Sequence, residues 1–421
     1  MVYHLSQLIK FRAVTLSYFM MKKILLSAFC CNPFKGSEAA NGWHWSTGLL
    51  KHGFEVHTIT RNINRASVEK HGPVPGLTLH YLQLPFGLER LYGFSQATMY
   101  LYYILWQWLA YRLAKKLNQS LSFYRAQHVS WGSIQFGSFL YRLDVPFIFG
   151  PAGGGQHAPD AFKEYFLEHW SAEEKRKKIS HYLFKYNPAC KQMLKQAHAV
   201  LTSNLDTQTM AESAGARNII PTLGSVLPTS FHPPRFIERS PNIKQMKLLW
   251  VGRLMPRKGL LLTLEVMHAL KRYPGITLTI VGDGPMRAGA ELKGHALGLE
   301  RQVKLVGAVP LAEVCNYYAS HDAFLFTSLR DTGPAQLIEA LAFNLPVVTL
   351  DLHGQGQIIT AETGIKIAMN EPEIMVQQLA DAIVDLSNDP QRYSDLSHAA
   401  YLFAKQQTWE NKIKTIVERC Y

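Results

Sequence analysis

The feature that most constrains this chain is a regular alternation running through its second half. Residues 247–252 are an apolar run ending in glycine, 259–272 have helical spacing, and 276–282 are apolar and β-branched again. After Gly284 a helical stretch leads to an apolar run at 303–307, and the pattern repeats with helices at 311–320 and 334–343 and apolar runs at 323–327 and 347–350. Short apolar strands separated by glycine-bearing loops and helices predict a doubly wound parallel sheet, in which ligands sit off the carboxyl ends of the strands. Few other architectures accommodate the pattern.

The first half predicts a second sheet of the same class. An opening strand at 24–29 runs into a loop of turn formers, Asn32, Pro33, Phe34, Lys35, Gly36 and Ser37, then a helix from Glu38 to Leu50 and a strand at 53–60. Strands are also expected at 126–129, at 146–149 ahead of a glycine-rich loop at 150–155, and at 199–203. Residues 222–244 carry Pro228, Pro233, Pro234 and Pro241 among polar residues, which reads as a linker. A chain of 421 residues exceeds one core, so the expected organisation is an N-terminal Rossmann-like domain over 21–225, a linker at 226–243 and a C-terminal Rossmann-like domain over 244–395. A helix at 396–421 would pack back on the first domain. Met21 directly precedes the first strand, so residues 1–20 are expected to be a disordered tail or the product of an upstream start.

Composition narrows the class of function. A formal charge of +13 points to an anionic partner, and five cysteines without a C-x-x-C pair suggest a reducing, cytoplasmic compartment. The aromatic helix at 98–117 is marginal as a membrane span and reads as buried or interfacial. The charged run at 173–178 is ordinarily a solvated helix face. With the aromatic helix and the positive balance, it is also compatible with docking on an anionic membrane at its inner face. No nucleic-acid module is present.

Two runs carry the chemistry. In the first, Gly252, Arg253, Pro256, Lys258 and Gly259 follow a strand; the arginine can fork onto a diphosphate and the lysine can act as a point charge. In the second, Asp331, Thr332, Gly333 and Pro334 open a helix that carries Glu339, and a helix N-terminus there offers amides to an anion. Two carboxylates in that arrangement can reach different parts of one extended ligand. There is no Asp-x-Asp pair to hold a divalent ion, so no metal cofactor is expected. No G-x-G-x-x-G fingerprint follows a strand, which argues against a dinucleotide-dependent oxidoreductase.

These runs, with the loop at 281–285, resemble glycosyltransferase family 4, the retaining glycosyl transferases group 1 with the GT-B fold: two Rossmann-like domains facing across a cleft. The stretches at 32–38, 128–133 and 150–155 resemble a subgroup associated with bacterial surface-polysaccharide synthesis. The resemblance implies a nucleotide-sugar donor as substrate and a saccharide or lipid-linked saccharide as acceptor. It implies that Glu339 receives the ribose hydroxyls, that Asp331 holds hydroxyls of the transferred sugar, and that Arg253 and Lys258 bind the diphosphate with the 332–334 loop. Gly307, Ala308 and Val309 would lie where the base is cradled, Gly36 and Ser37 would approach the phosphates or acceptor, and His128 would meet the donor sugar. The chain departs from the family in having aspartate rather than glutamate at 331. That shortening would shift sugar preference or, in the alternative, leave a nucleotide-sugar-binding scaffold or regulator without turnover.

Overall fold

A computed structural model describes residues 21–35, 38–224 and 226–421. The expected tail at 1–20 and the loop residues Gly36 and Ser37 lie outside the described residues.

Two parallel sheets form the molecule. The first contains β1 (Lys23–Ala28), β2 (Glu55–Arg61), β3 (Leu77–Leu82), β4 (Arg125–Ser130), β5 (Phe147–Ala152), β6 (Ala199–Thr202) and β7 (Ile219–Pro221), in the order β3-β2-β1-β4-β5-β6-β7. The second contains β8 (Met246–Val251), β9 (Ile276–Val281), β10 (Val303–Gly307), β11 (Ala323–Phe326), β12 (Val347–Leu350) and β13 (Gly364–Ile367), in the order β10-β9-β8-β11-β12-β13. Every recorded strand pairing is parallel. Central strands such as β5, β11 and β12 are buried at every position, as parallel strands covered by helices on both faces must be. The order reverses direction between β1 and β4 and again between β8 and β11, and these two switch points are where such sheets bind ligands.

The central strands fall where the sequence pattern places them. The edge strands β3, β7 and β13 do not stand out in the sequence, because they are short and only partly buried and lack a sustained apolar run. The aromatic segment forms the long helix Gln96–Leu121, with Tyr102, Tyr103, Trp106, Gln107, Ala110 and Ala114 buried against the first sheet. No helix among the described residues is long and apolar enough to cross a membrane.

Two segments cross between the halves. Ala158, Phe162, Tyr165 and Phe166 bury into the core of the second sheet alongside Leu260, Leu264 and Trp250. In the opposite direction, the helix Trp409–Cys420 places Trp409, Ile413, Ile416 and Cys420 among Ile24, Leu26, Trp45 and Leu49. Gly48 permits that approach, since a Cβ there would lie 2.0 Å from Ile413 Cδ1. The proline-bearing stretch is tied to the second domain: Asn344 bonds both the backbone N and O of Ile237, and Arg239 donates to the carbonyls of Tyr318, Ala319 and Phe343.

Candidate active site

The turns at the carboxyl ends of β8, β9 and β11 are stacked backbone against backbone. A Cβ on Gly259, whose φ is +66°, would lie 2.0 Å from the Thr327 carbonyl, and one on Gly282 would lie 1.9 Å from that of Gly252. Only glycine allows this closeness, and its result is that Lys258 is delivered into the turn following β11.

Lys258 is buried there over the Phe326 ring, 5.1 Å from its centroid, and its ammonium donates to Asp331 Oδ2. Arg257 Nη1 donates to the same oxygen at 3.2 Å and to the Arg330 carbonyl at 2.9 Å, while Ser328 Oγ lies 3.4 Å from Asp331 Oδ2. Burial pushes the Asp331 carboxyl up, but the Lys258 and Arg257 charges overcome it and hold the group below the usual aspartate value. All these bonds fall on Oδ2. Among the described residues Oδ1 receives none.

Asp331 is followed by Pro334, the extended N-cap residue of the helix Ala335–Ala342. Glu339 lies on that helix and its Oε2 accepts a 2.8 Å hydrogen bond from Tyr318 Oη. Burial raises the Glu339 carboxyl above its ordinary value, with the Tyr318 bond and the Lys258 charge pulling partly the other way. The Arg253 side chain is exposed and makes no hydrogen bond or salt bridge among the described residues. Gly252 closes β8 by donating its N–H to Val281 O. Gly307, Ala308 and Val309 leave the end of β10 along the same sheet edge, with Ala308 exposed and Val309 half-buried against the cluster holding Leu337 and Ile338.

Facing this edge is the first domain. A cavity of about 380 Å³ lies between Asn41, Trp131 and Gly132 on one side and Arg257, Asp331 and Thr332 on the other. Residues 252–258 and 331–339 thus form one charged crevice that opens onto the interdomain cleft.

Residues 235–403 match the family model described as Glycosyl transferases group 1. The chain is 34% identical over 149 residues to the amylovoran biosynthesis glycosyltransferase AmsK of Erwinia amylovora, an alignment covering 34% of this chain and 36% of AmsK. It is 24% identical over 253 residues to the GPI3 subunit of phosphatidylinositol N-acetylglucosaminyltransferase of Saccharomyces cerevisiae, covering 56% of this chain and 55% of that protein. The matched region therefore spans about a third to about half of these relatives' own lengths. Among solved structures, Anabaena Alr3699/HepE in complex with UDP superposes with a TM-score of 0.62 at 16% identity, covering 95% of this chain and 99% of that one. WaaG, a glycosyltransferase involved in lipopolysaccharide biosynthesis, superposes with a TM-score of 0.58 at 14% identity, covering 94% and 99%. The fold is GT-B.

Two expectations are corrected by the structure. His128 lies on β4 and is fully buried, stacked 5.6 Å from the Phe149 ring, with Nε2 placed 3.0 Å from Trp131 O and 3.2 Å from Tyr103 Oη. Burial depresses its pKa to about 4, so it is a neutral core histidine and does not face the cleft. The charged run at 173–178 is not a uniformly solvated face: Glu173 is buried and lies 2.6 Å from Arg330 Nε of the other half.

Sequence reasoning missed Arg257, Ser328 and Tyr318 as partners of the two carboxylates. Arg257 was within sight, one residue before Lys258. Tyr318 carries no sequence signal linking it to Glu339.

Proposed function

We propose that this chain is a retaining, metal-independent glycosyltransferase of family 4 that moves a sugar from a nucleotide-sugar donor to a saccharide or lipid-linked saccharide in cell-surface polysaccharide synthesis. The observation that carries the reading is the polarised carboxylate of Asp331. Its Oδ2 is occupied by Lys258 and Arg257, and its Oδ1 is left for sugar hydroxyls beside the cavity.

Each remaining group has a part in that reaction. Lys258 retains donors beyond the one it gives Asp331, and with exposed Arg253 it supplies positive charge for a leaving diphosphate. The N-terminus of the Ala335–Ala342 helix, reached through Thr332, Gly333 and Pro334, adds its dipole to the same charge. Glu339, oriented by Tyr318, offers an acceptor to ribose hydroxyls. Gly252 brings backbone close to the phosphates, and Gly307, Ala308 and Val309 border the base. The enzyme contributes position and electrostatics, and no protein nucleophile is assigned. The AmsK likeness supports a polysaccharide product, and the UDP bound to HepE makes uridine nucleotides the first donors to try. We place the reaction in the cytoplasm at the inner face of the membrane, where a lipid-linked acceptor would be met.

Incubating the full chain with UDP-, GDP- and ADP-sugars in EDTA, and following the product by proton NMR, tests the reading. An α-linked donor should yield an α-anomer as first product, from transfer or slow hydrolysis. A β-anomer as first product contradicts retention, and donor binding without turnover favours the scaffold.

A further inference from the structure

Asp331 is flanked on both sides by residues held from the other half of the chain. On one side, Arg330 Nε lies 2.6 Å from Glu173 Oε1 on the helix Trp170–Tyr186. The same oxygen receives Arg176 Nε and Nη2 at 3.3 Å, and Arg176 Nη2 also donates to the Gln156 carbonyl at 2.5 Å. On the other side, Thr332 Oγ1 donates to Gln156 Oε1 at 3.2 Å, and Asn204 Nδ2 donates to the Thr332 carbonyl at 2.7 Å. A Cβ on Gly153 would lie 2.4 Å from Thr332 Cγ2, so the two halves are in close contact at this point.

The physical chemistry of Glu173 singles it out. It is the buried member of a run whose neighbours Glu174, Lys175 and Lys178 are exposed. Burial alone would raise its carboxyl, yet the guanidiniums of Arg330 and Arg176 hold it below the ordinary glutamate value. A buried carboxylate between two guanidiniums is stable only while all three are together, and removing it leaves two like charges unpaired. The helix that carries Glu173 and Arg176 starts at Trp170, which packs with Phe166 on the core of the second sheet, so the cluster is anchored on the same body as Asp331.

We propose that Glu173, with Arg176 and Arg330, is a latch that positions the turn carrying Asp331 for its contact with the transferred sugar. This rests on the donor-site reading above. Glu173 touches neither Asp331 nor the cavity, and acts through Arg330 and through the Arg176–Gln156–Thr332 chain.

The experiment compares wild type, Glu173→Gln and Glu173→Asp as full chains, using UDP and UDP-glucose as probes in calorimetry and hydrogen exchange across residues 327–334. In Glu173→Gln the Kd for UDP should stay within about twofold of wild type while that for UDP-glucose weakens about tenfold, because only the sugar addresses Asp331. Exchange at 327–334 should accelerate about tenfold with β8 and β12 unchanged, and Glu173→Asp should recover most of both effects. Unchanged exchange and unchanged UDP-glucose affinity overturn the latch, as does equal weakening of both probes with faster exchange throughout. If wild type binds neither probe, the uridine-donor reading fails separately, and exchange at 327–334 alone decides the latch.

Discussion

The two sheets share a strand order around their switch points, so β1 and β4 in the first occupy the places of β8 and β11 in the second. Their crevices are furnished in opposite ways. At the second switch point, Lys258, Arg257 and Asp331 form a charged cluster and Glu339 waits on the adjoining helix. At the first, Phe29 packs against Tyr103, Trp106 and Trp131 at centroid distances of 4.9 to 5.1 Å, and the one histidine of β4 is buried neutral behind them. Even the cation there is used for packing: the Arg61 guanidinium sits 3.9 Å over the Phe29 ring and 4.5 Å over that of Tyr92. Topology fixes where a ligand can approach, and side chains decide which of two equivalent edges does chemistry.

The sharpest way to break this comparison is Lys258→Met, which leaves Asp331 with the Arg257 guanidinium and the Ser328 hydroxyl. Removing one partner of a buried pair should cost about 3 kcal/mol in denaturant unfolding, and sugar transfer should fall by at least about 100-fold. A transfer rate near wild type would mean the charged edge is structural. The complementary change, His128→Ala, should cost about 2 kcal/mol through the cavity it leaves, with donor affinity in calorimetry unchanged. Weakened donor binding in a folded His128→Ala protein would return that histidine to the site.

A pH series sharpens the Asp331 assignment. Its folded carboxyl titrates below the unfolded value of about 3.9, so its contribution is complete above roughly pH 4 and is lost as pH falls through the folded value. Asp331→Asn should therefore be less stable than wild type by about 2 kcal/mol at neutral pH, and the gap should narrow steadily below about pH 4. A gap independent of pH would place the effect in packing. Glu339 carries the opposite sign, because burial raises its carboxyl and opposes folding above its unfolded pKa. Glu339→Gln, which keeps an oxygen for Tyr318, should shift stability by less than about 1 kcal/mol while weakening nucleotide binding about tenfold. Loss of stability without loss of nucleotide affinity would contradict its role.

The pieces of the site that could be read in the sequence are those whose geometry is local. Residues 252–258 lie in one turn and 331–339 in one turn and helix, so spacing alone places their side chains together. Glu173, Gln156 and Asn204 reach Arg330 and Thr332 only through tertiary packing of segments distant in sequence, which no periodicity encodes. His128 shows another limit. A fully buried parallel strand presents side chains to both faces without a polar face to mark the cleft, and the helix Gln96–Leu121 covers this one. The segment holding Phe162 and Phe166 likewise belongs in sequence to the first half but packs into the second core.

The most direct test of the charged edge as a donor site is a thermal-shift panel of UDP-, GDP- and ADP-sugars against NAD, in EDTA without added metal. At a hundred times its dissociation constant a bound donor stabilises by about 2.7 kcal/mol, a shift of several degrees for domains of this size. A donor site at the charged edge should give such a shift with one nucleotide-sugar and lose it in Lys258→Met. A shift with NAD alone, or an equal shift in Lys258→Met, would contradict it.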